Sequence, residues 1–562
     1  MLRTCLAIAL LALVPAPAAV AAPVQLMPGV TYQRKLQWTG AGPAVTYVIN
    51  APRPGGLYSL TPLLSNNTIL GRETVSSMER RVAGQMTTVG VNGDFFNWQN
   101  GWPSGVLMQG RVLQHHPAEN RSALGVDATG MLHVDREPFV ASWRGLSLLD
   151  HPIAQLNEPP RGNATALFTP AWGAATPALK GVAVVLEPFP AATLFTDLPG
   201  TVTRIVTDSS VAIPRGGAIL VARGNAAADL QTDAAVGTQM TVRLALSRDW
   251  SSVTDAVGGG PALVQNGKPI ARSGESLTAD QLYGRNPRTS IGQRADGSLV
   301  IVAADGRRRG WSVGVSNWDL ALALARYGCV TGVALDSGGS TTVAFDGRVL
   351  NRPSDPTGER PVGEALVVGY TGVYAAPTTT LSPNGDGAGD REALSFKVVR
   401  PSSVSAKLVA PDGTTRELAA GQKLPGTYRT SWDGKDAAGV VAPEGRYRWT
   451  VTATDDVGRT STATRAFTLD NTLGFVRVGR NARTISFRLT RDAAVRVAVE
   501  DRFGEIFRTV AAGRRAAGAV IVRWNGRDGR GKRLSTGSYV VHVAATSPLG
   551  LSELRVPVRI RR

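Results

Sequence analysis

Residues 286–340, NPRTSIGQRADGSLVIVAADGRRRGWSVGVSNWDLALALARYGCVTGVALDSGGS, hold the residue types best suited to chemistry in this chain. Asp336 is a carboxylate followed by Ser337, Gly338, Gly339 and Ser340, and the two glycines permit close backbone approach to a ligand. Arg288 follows Pro287 and offers a planar, bidentate donor that suits phosphate or carboxylate. An acid, an arginine and a glycine-rich loop together fit a polar, anionic substrate. A second carboxylate, Asp94 in GVNGDFFN, lies between Gly93 and Phe95-Phe96. It reads either as a site carboxylate or as a turn aspartate bonding its own backbone. Gly258, Gly259 and Gly260 form another loop that admits close approach. It is equally well a tight structural turn, because no helix follows as in a phosphate loop.

Other reactive residue types carry less. His115 and His116 are adjacent, and neighbouring strand residues point to opposite faces, so no shared ion is expected. His133 and His151 are scattered singles without zinc-ligand spacing. Cys329 follows a helix-ending glycine and reads as a small buried apolar residue.

The elements that must position these groups are legible around them. SLVIVAADG predicts a strand closed by a turn at Asp305-Gly306. SNWDLALALARYG predicts a helix with Ser316 as N-cap, Asp319 completing a capping box, and Gly328 at the left-handed C-terminal position. VTGVALD predicts a buried strand that delivers Asp336 at its carboxyl end, where open α/β sheets bind ligands. Upstream, TTVGVNGDFFN reads as a strand running into the Asp94 loop. Residues 140–250 alternate apolar stretches with Gly and Pro turns and read as β-structure without site signals. NRPSDPTGERPVGEALVVGY (351–370) predicts a loop carrying Glu359 and Arg360, then a buried strand.

With 562 residues, the chain is longer than one core usually serves. Residues 1–22 have a basic start at Arg3, an apolar run and then small residues, the pattern of a secretory signal. The expected product is exported. Only Cys329 follows that segment, so no intramolecular disulfide is expected. The formal net charge is +18, and from residue 476 onward 19 Lys+Arg stand against 6 Asp+Glu. That excess suits an anionic wall polymer or lipid surface. Codon bias is the competing account, since 53 of the 61 basic residues are Arg. Specific nucleic-acid binding is not expected, as no recognised motif is present.

The C-terminal part repeats. SWDGKDAAGVVAPEGRYRWTVTATDDVG (431–458) matches RWNGRDGRGKRLSTGSYVVHVAATSPLG (523–550), pairing Trp432 with Trp524, Asp436 with Asp528 and Tyr447 with Tyr539. Short alternating strands with turn residues predict two β-sandwiches. In SPNGDGAGD (382–390), Asn384, Asp386 and Asp390 have the spacing of a short calcium loop, with an Asx-rich turn as the alternative.

GVNGDFFN, GGGPALV, NPRTSIG, LDSGGS and ERPV, in this order, resemble the phosphodiester glycosidase family. The WDGxD…GxY pattern resembles the Ig-like domain of flagellar hook-capping proteins. The first resemblance implies an α/β domain with a mixed sheet and helices that cleaves a sugar from a sugar-1-phosphodiester. The candidate catalytic residues for that reaction are Asp336, Asp94 and Glu359. The candidate substrate-binding residues are Arg288, Asn97, Asn286, Thr289, Ser337, Gly338, Gly339, Ser340, Gly259, Gly260 and Arg360. No cofactor is implied beyond a structural Ca²⁺ at Asn384, Asp386 and Asp390. The expected partner is a sugar-phosphate glycan of an envelope or extracellular polysaccharide. The expected organisation is a signal (1–22), the α/β domain (23–375) and two Ig-like sandwiches (376–475 and 476–562, the latter basic). Two alternatives stay open: a polysaccharide-binding protein without catalysis, and a metal-dependent phosphodiesterase.

Overall fold

The computed structural model describes residues 22–436, 438–501 and 504–561. The expected signal, residues 1–22, lies outside them but for its last residue.

The chain is mostly strand. Its central sheet has eight strands in the order Val24–Met27, Val30–Thr39, Gly42–Ala51, Leu299–Ala304, Arg288–Arg294, Cys329–Ala334, Ala262–Gln265 and Lys268–Pro269. Every pairing in it is antiparallel. The expected α/β architecture with a mixed sheet is therefore met only in part, by the helix that packs on the sheet, and the reason is specific. The strand–helix–strand unit forms as the sequence suggests, with Leu299–Ala304 and Cys329–Ala334 running in the same direction. Strand Arg288–Arg294 occupies the place between them and pairs antiparallel with both.

The crossover helix, Asn317–Arg326, has the predicted capping box, with Ser316 accepting from the Asp319 N–H and Asp319 accepting from the Ser316 N–H. Gly328 has φ +81°, the left-handed value that stops a helix. Leu320, Ala321 and Leu324 bury against Val300, Val302 and Cys329 on one face of the sheet. The other face meets a five-stranded sheet, in the order Arg348–Val349, Val343–Phe345, Thr87–Asn92, Glu364–Tyr370 and Tyr58–Leu64. Ile49, Ile291, Ile301 and Val333 interdigitate with Val89, Val91, Leu366 and Val368 between the layers. Helix Val75–Val82 covers the outer face of that second sheet through Val75, Met78 and Val82.

A third sheet joins Val112–His115, Leu107–Gln109, Val253–Gly258, Ser122–Asp127 and Leu132–Arg136. Residues 140–245 form an eight-stranded sheet around Trp143, Leu167, Val184, Leu220 and Val242.

The two repeats give matching sandwiches, each with one three-stranded and one four-stranded sheet. Trp432 Nε1 donates to the Lys435 carbonyl (2.7 Å) and Trp524 Nε1 to that of Arg527 (2.9 Å). Asp436 and Asp528 each accept two backbone N–H groups of the following turn. The shared WxGxD pattern is thus a turn lock. Strand Tyr374–Ala375 pairs with Glu392–Val398 of the first sandwich. Arg465 reaches back to the carbonyls of Gln25 and Leu26 (3.1 and 3.0 Å).

Candidate functional site

Three strand ends meet behind Asp336. Asn92, the last residue of Thr87–Asn92, donates to the Asp336 carbonyl (2.8 Å) and accepts from the Thr289 hydroxyl (2.7 Å). The Asp336 N–H donates to the Gly93 carbonyl (3.0 Å), and the Gly93 N–H to that of Glu364 (3.0 Å). This network brings the NGDFF loop, LDSGGS and the start of strand Glu364–Tyr370 to one point. Asn92 is a residue that sequence reasoning missed, although it lies inside the NGDFF motif.

Three carboxyls and one guanidinium gather there. The Asp94 N–H donates to Glu364 Oε1 (2.8 Å), and Arg121 Nη2 donates to Asp94 Oδ2. Asp94 is 1% exposed, Glu364 0% and Asp336 9%, so Asp336 is the least buried residue of this cluster. Burial pushes Asp336 up to about 6, with the Asp94 charge adding to the shift. The Ser337 N–H (2.7 Å), Ser340 and Arg360 oppose it. Burial also raises Asp94, against the pull of Arg121. Glu364 is raised well above the carboxylate range by burial and then by the charge on Asp94. With Asp94 paired to Arg121, Glu364 is the member that keeps its proton.

The glycines serve this packing. A Cβ at Gly258 or Gly105 would run into the Asp94 carboxylate. One at Gly259 would lie 2.6 Å from the Ala334 carbonyl. The Gly260 N–H donates to that same carbonyl (2.8 Å), and its φ of +117° excludes a side chain. Gly259 and Gly260 therefore seat their own loop on the end of strand Cys329–Ala334, and the glycine-loop amide at Gly260 is already bonded.

Arg288 overturns its expected role. It is 2% exposed, and its guanidinium donates to four backbone carbonyls: Val315 (3.2 Å), Gln281 (2.7 Å), Asp280 (3.2 Å) and Gly284 (2.7 Å). Such a cage leaves it no fork for phosphate. Its work is to hold the end of helix Ala279–Tyr283. Glu359 is also corrected: both oxygens accept from Ser76, at 2.9 Å from the N–H and 2.5 Å from the hydroxyl. It serves the first turn of helix Val75–Val82.

The cations at the Asp336 loop are Arg360 and Arg307. Arg360 pairs through two donors with Asp355 (2.7 and 2.9 Å), lies 3.4 Å from the Ser340 hydroxyl, and stacks over Trp98 at 4.5 Å. Trp98 is 58% exposed, an aromatic surface beside the site. A Cβ at Gly339 would collide with Arg360, and one at Gly338 would lie 3.0 Å from Arg307 Nη1. Arg307, unnoticed in the sequence, is oriented by Asn286 Oδ1 (2.8 and 3.1 Å). Asn286 and Thr289 thus act through Arg307 and Asn92. Asn97 Oδ1 accepts the Gln99 N–H (2.9 Å) and shapes the turn that presents Trp98. Ser337, Gly338 and Ser340 line the loop itself, with the Gly338 N–H bonded to the Pro287 carbonyl (2.9 Å).

Elsewhere, Asn384, Asp386 and Asp390 do come together. Asp390 accepts the N–H groups of Gly385 and Gly387 (both 2.7 Å), and Asp386 that of Ala388 (2.7 Å). The loop closes through its own amides. Cys329 is buried, and burial pushes its thiol up to about 12, far from a nucleophile's range.

Residues 196–369 match the phosphodiester glycosidase family model, and residues 384–456 and 476–548 each match the FlgD Ig-like domain. The chain carries a phosphodiester glycosidase domain followed by two FlgD Ig-like domains. The match includes Asp336, Arg307 and Arg360, while the NGDFF loop joins them through the fold. SPbeta prophage-derived uncharacterized protein YomE of Bacillus subtilis is 38% identical over 108 residues, 19% of this chain and 16% of that protein. Human N-acetylglucosamine-1-phosphodiester alpha-N-acetylglucosaminidase is 37% identical over 68 residues, 12% of this chain and 13% of that protein. The alignments therefore span less than a fifth of either curated relative. A hypothetical protein from Synechocystis shares the fold at a TM-score of 0.53 and 23% identity, over 63% of this chain and 64% of that one.

Proposed function

We propose that the chain hydrolyses a sugar-1-phosphodiester, cutting the bond between the anomeric carbon and the phosphate oxygen. One observation carries this reading: Asp336 is the least buried member of a buried carboxyl cluster, and Arg360, Arg307 and Trp98 border its loop. The Asp336 carboxylate acts at the anomeric carbon, as base to the attacking water or as nucleophile. The C–O bond breaks and its electron pair leaves on the phosphomonoester. That leaving group has a second pKa near ~6, so it needs charge neutralisation more than a strong acid. Arg360 and Arg307 supply the neutralisation, and Trp98 offers a face to the sugar. Asp94, Arg121 and Glu364 act behind Asp336, fixing its backbone and its charge state.

The reading extends to setting. The chain is exported through residues 1–22, and its substrate belongs to an envelope or extracellular glycan. The basic segment from residue 476 holds an anionic wall or membrane surface. Among the described residues no helix is long and apolar enough to cross a membrane. The test is turnover of a panel of sugar-1-phosphodiesters by purified protein. Release of free sugar and phosphomonoester together supports the proposal. Binding of the same compounds with no turnover, in wild type and Asp336→Asn alike, replaces it with a glycan-binding module.

A further inference from the structure

His115 and His116 do not face apart. Strand Val112–His115 ends at the first of them, the chain turns, and the rings stack with centroids 4.5 Å apart and planes 24° apart. Both Nε2 atoms turn toward one carboxylate oxygen, Glu158 Oε2, at 3.8 Å from His115 and 3.4 Å from His116. From these observations we propose that His115, His116 and Glu158 bind a divalent transition-metal ion, zinc by its donor set.

His115 Nδ1 lies 2.8 Å from the Gly105 carbonyl and 2.9 Å from its neighbour's carbonyl. Carbonyls only accept, so Nδ1 carries the hydrogen and Nε2 presents a lone pair. That Nε2 is fully buried, has no hydrogen-bond partner, and faces a carboxylate oxygen. Two acceptors facing each other in a dry site repel unless a cation lies between them. His116 Nδ1 lies 3.3 Å from both the N–H and the carbonyl of Leu156. Of its two tautomers, the one that donates to the carbonyl frees its Nε2 in the same way.

The spacing also fits. The three ligand atoms lie within 4.8 Å of one another. A tetrahedral ion at about 2.0–2.2 Å from each ligand holds them roughly 3.3–3.6 Å apart, close to the two histidine–carboxylate separations. The second carboxylate oxygen, Oε1, is oriented by Arg161. A backbone carbonyl behind His115 supplies the outer support that such ligands have. His116 and Glu158 line a cavity of about 720 Å³, with Ser104, Asn120, Phe139 and Arg161 among its other walls. The fourth coordination position opens to that cavity and takes water or an anionic oxygen. Gly105, whose carbonyl holds His115, packs against Asp94. The ion therefore braces the same loop that supports the carboxyl cluster.

The test uses the full chain, stripped with chelator, mixed with equimolar ZnCl₂, desalted and analysed for metal. One zinc per chain is expected, with a rise in thermal midpoint. Glu158→Gln and His116→Asn should lower zinc affinity about 10²-fold or more, and His133→Asn should leave it unchanged. Co²⁺ in place of zinc should give the intense visible absorption of a tetrahedral site. No zinc retained by the wild type, or equal retention by all three variants, overturns the proposal. None of these readouts uses glycosidase turnover, so they stand or fall apart from the proposed reaction.

Discussion

Asp336→Asn should make the protein more stable and inactive at the same time. The shift of Asp336 from 3.8 to about 6 corresponds to about 3 kcal/mol, at 1.36 kcal/mol per unit. A carboxyl with a folded pKa above its unfolded one binds its proton more tightly in the fold. Stability therefore falls as pH rises from about 4 to about 6, and the penalty is complete above that. Asparagine keeps the shape, and its Oδ1 can still accept the Ser337 N–H, but it never ionises. At pH 7 the variant should gain up to about 3 kcal/mol in the N-terminal domain. For a domain of roughly 350 residues, with about 0.7 kcal/mol per kelvin of unfolding entropy, that is about 2–4 °C. The gain should shrink toward zero near pH 4, where the wild-type carboxyl is protonated too. Turnover should drop about 10²-fold or more. Wild-type kcat/KM should fall tenfold per pH unit below about 6. Calorimetry at pH 4 and 7, beside a pH–rate profile, reads all of this. A variant that melts lower at pH 7 than wild type, or that keeps more than a tenth of its activity, refutes the reasoning.

Arg360→Ala should raise KM for a sugar-1-phosphodiester by about tenfold or more, while Arg288→Lys should leave KM alone and lower the melting midpoint, because it breaks a four-carbonyl cage worth ~1.5–3 kcal/mol per charged hydrogen bond; steady-state kinetics and melting on both variants separate the two roles. Glu364→Gln should keep kcat within about threefold, since the side chain it replaces is already neutral and its Oε1 acceptor survives; a 10²-fold loss would make Glu364 an acid in the reaction. Deleting residues 476–562 should reduce retention on cell-wall material, and retention of the full chain should weaken as salt rises; equal retention with and without the segment leaves codon bias as the account of its charge.

What the sequence disclosed was local. The helix Asn317–Arg326 showed its caps because Ser316, Asp319 and Gly328 act within a few residues of one another. The 92-residue repeat disclosed the sandwiches because Trp432 and Trp524 lock the same turn. Asp336 was found because a strand and a glycine loop bracket it. What stayed hidden depends on distant partners. Arg288 was assigned to phosphate because its type suits phosphate, but the carbonyls of Gly284 and Val315 reach it through tertiary packing alone. Arg307 has no motif of its own and is aimed by Asn286, 21 positions earlier. The alternation rule separated His115 from His116, yet the strand stops between them and the rule lapses there. The antiparallel sheet followed from where Arg288–Arg294 inserts, a choice that local periodicity does not encode.

Cleavage at carbon is tested most directly with oxygen-18 water. Hydrolysis of a sugar-1-phosphodiester in labelled water should put the label on the released sugar and leave the phosphomonoester unlabelled. Label on the phosphomonoester would mean attack at phosphorus, and would contradict the role given to Asp336.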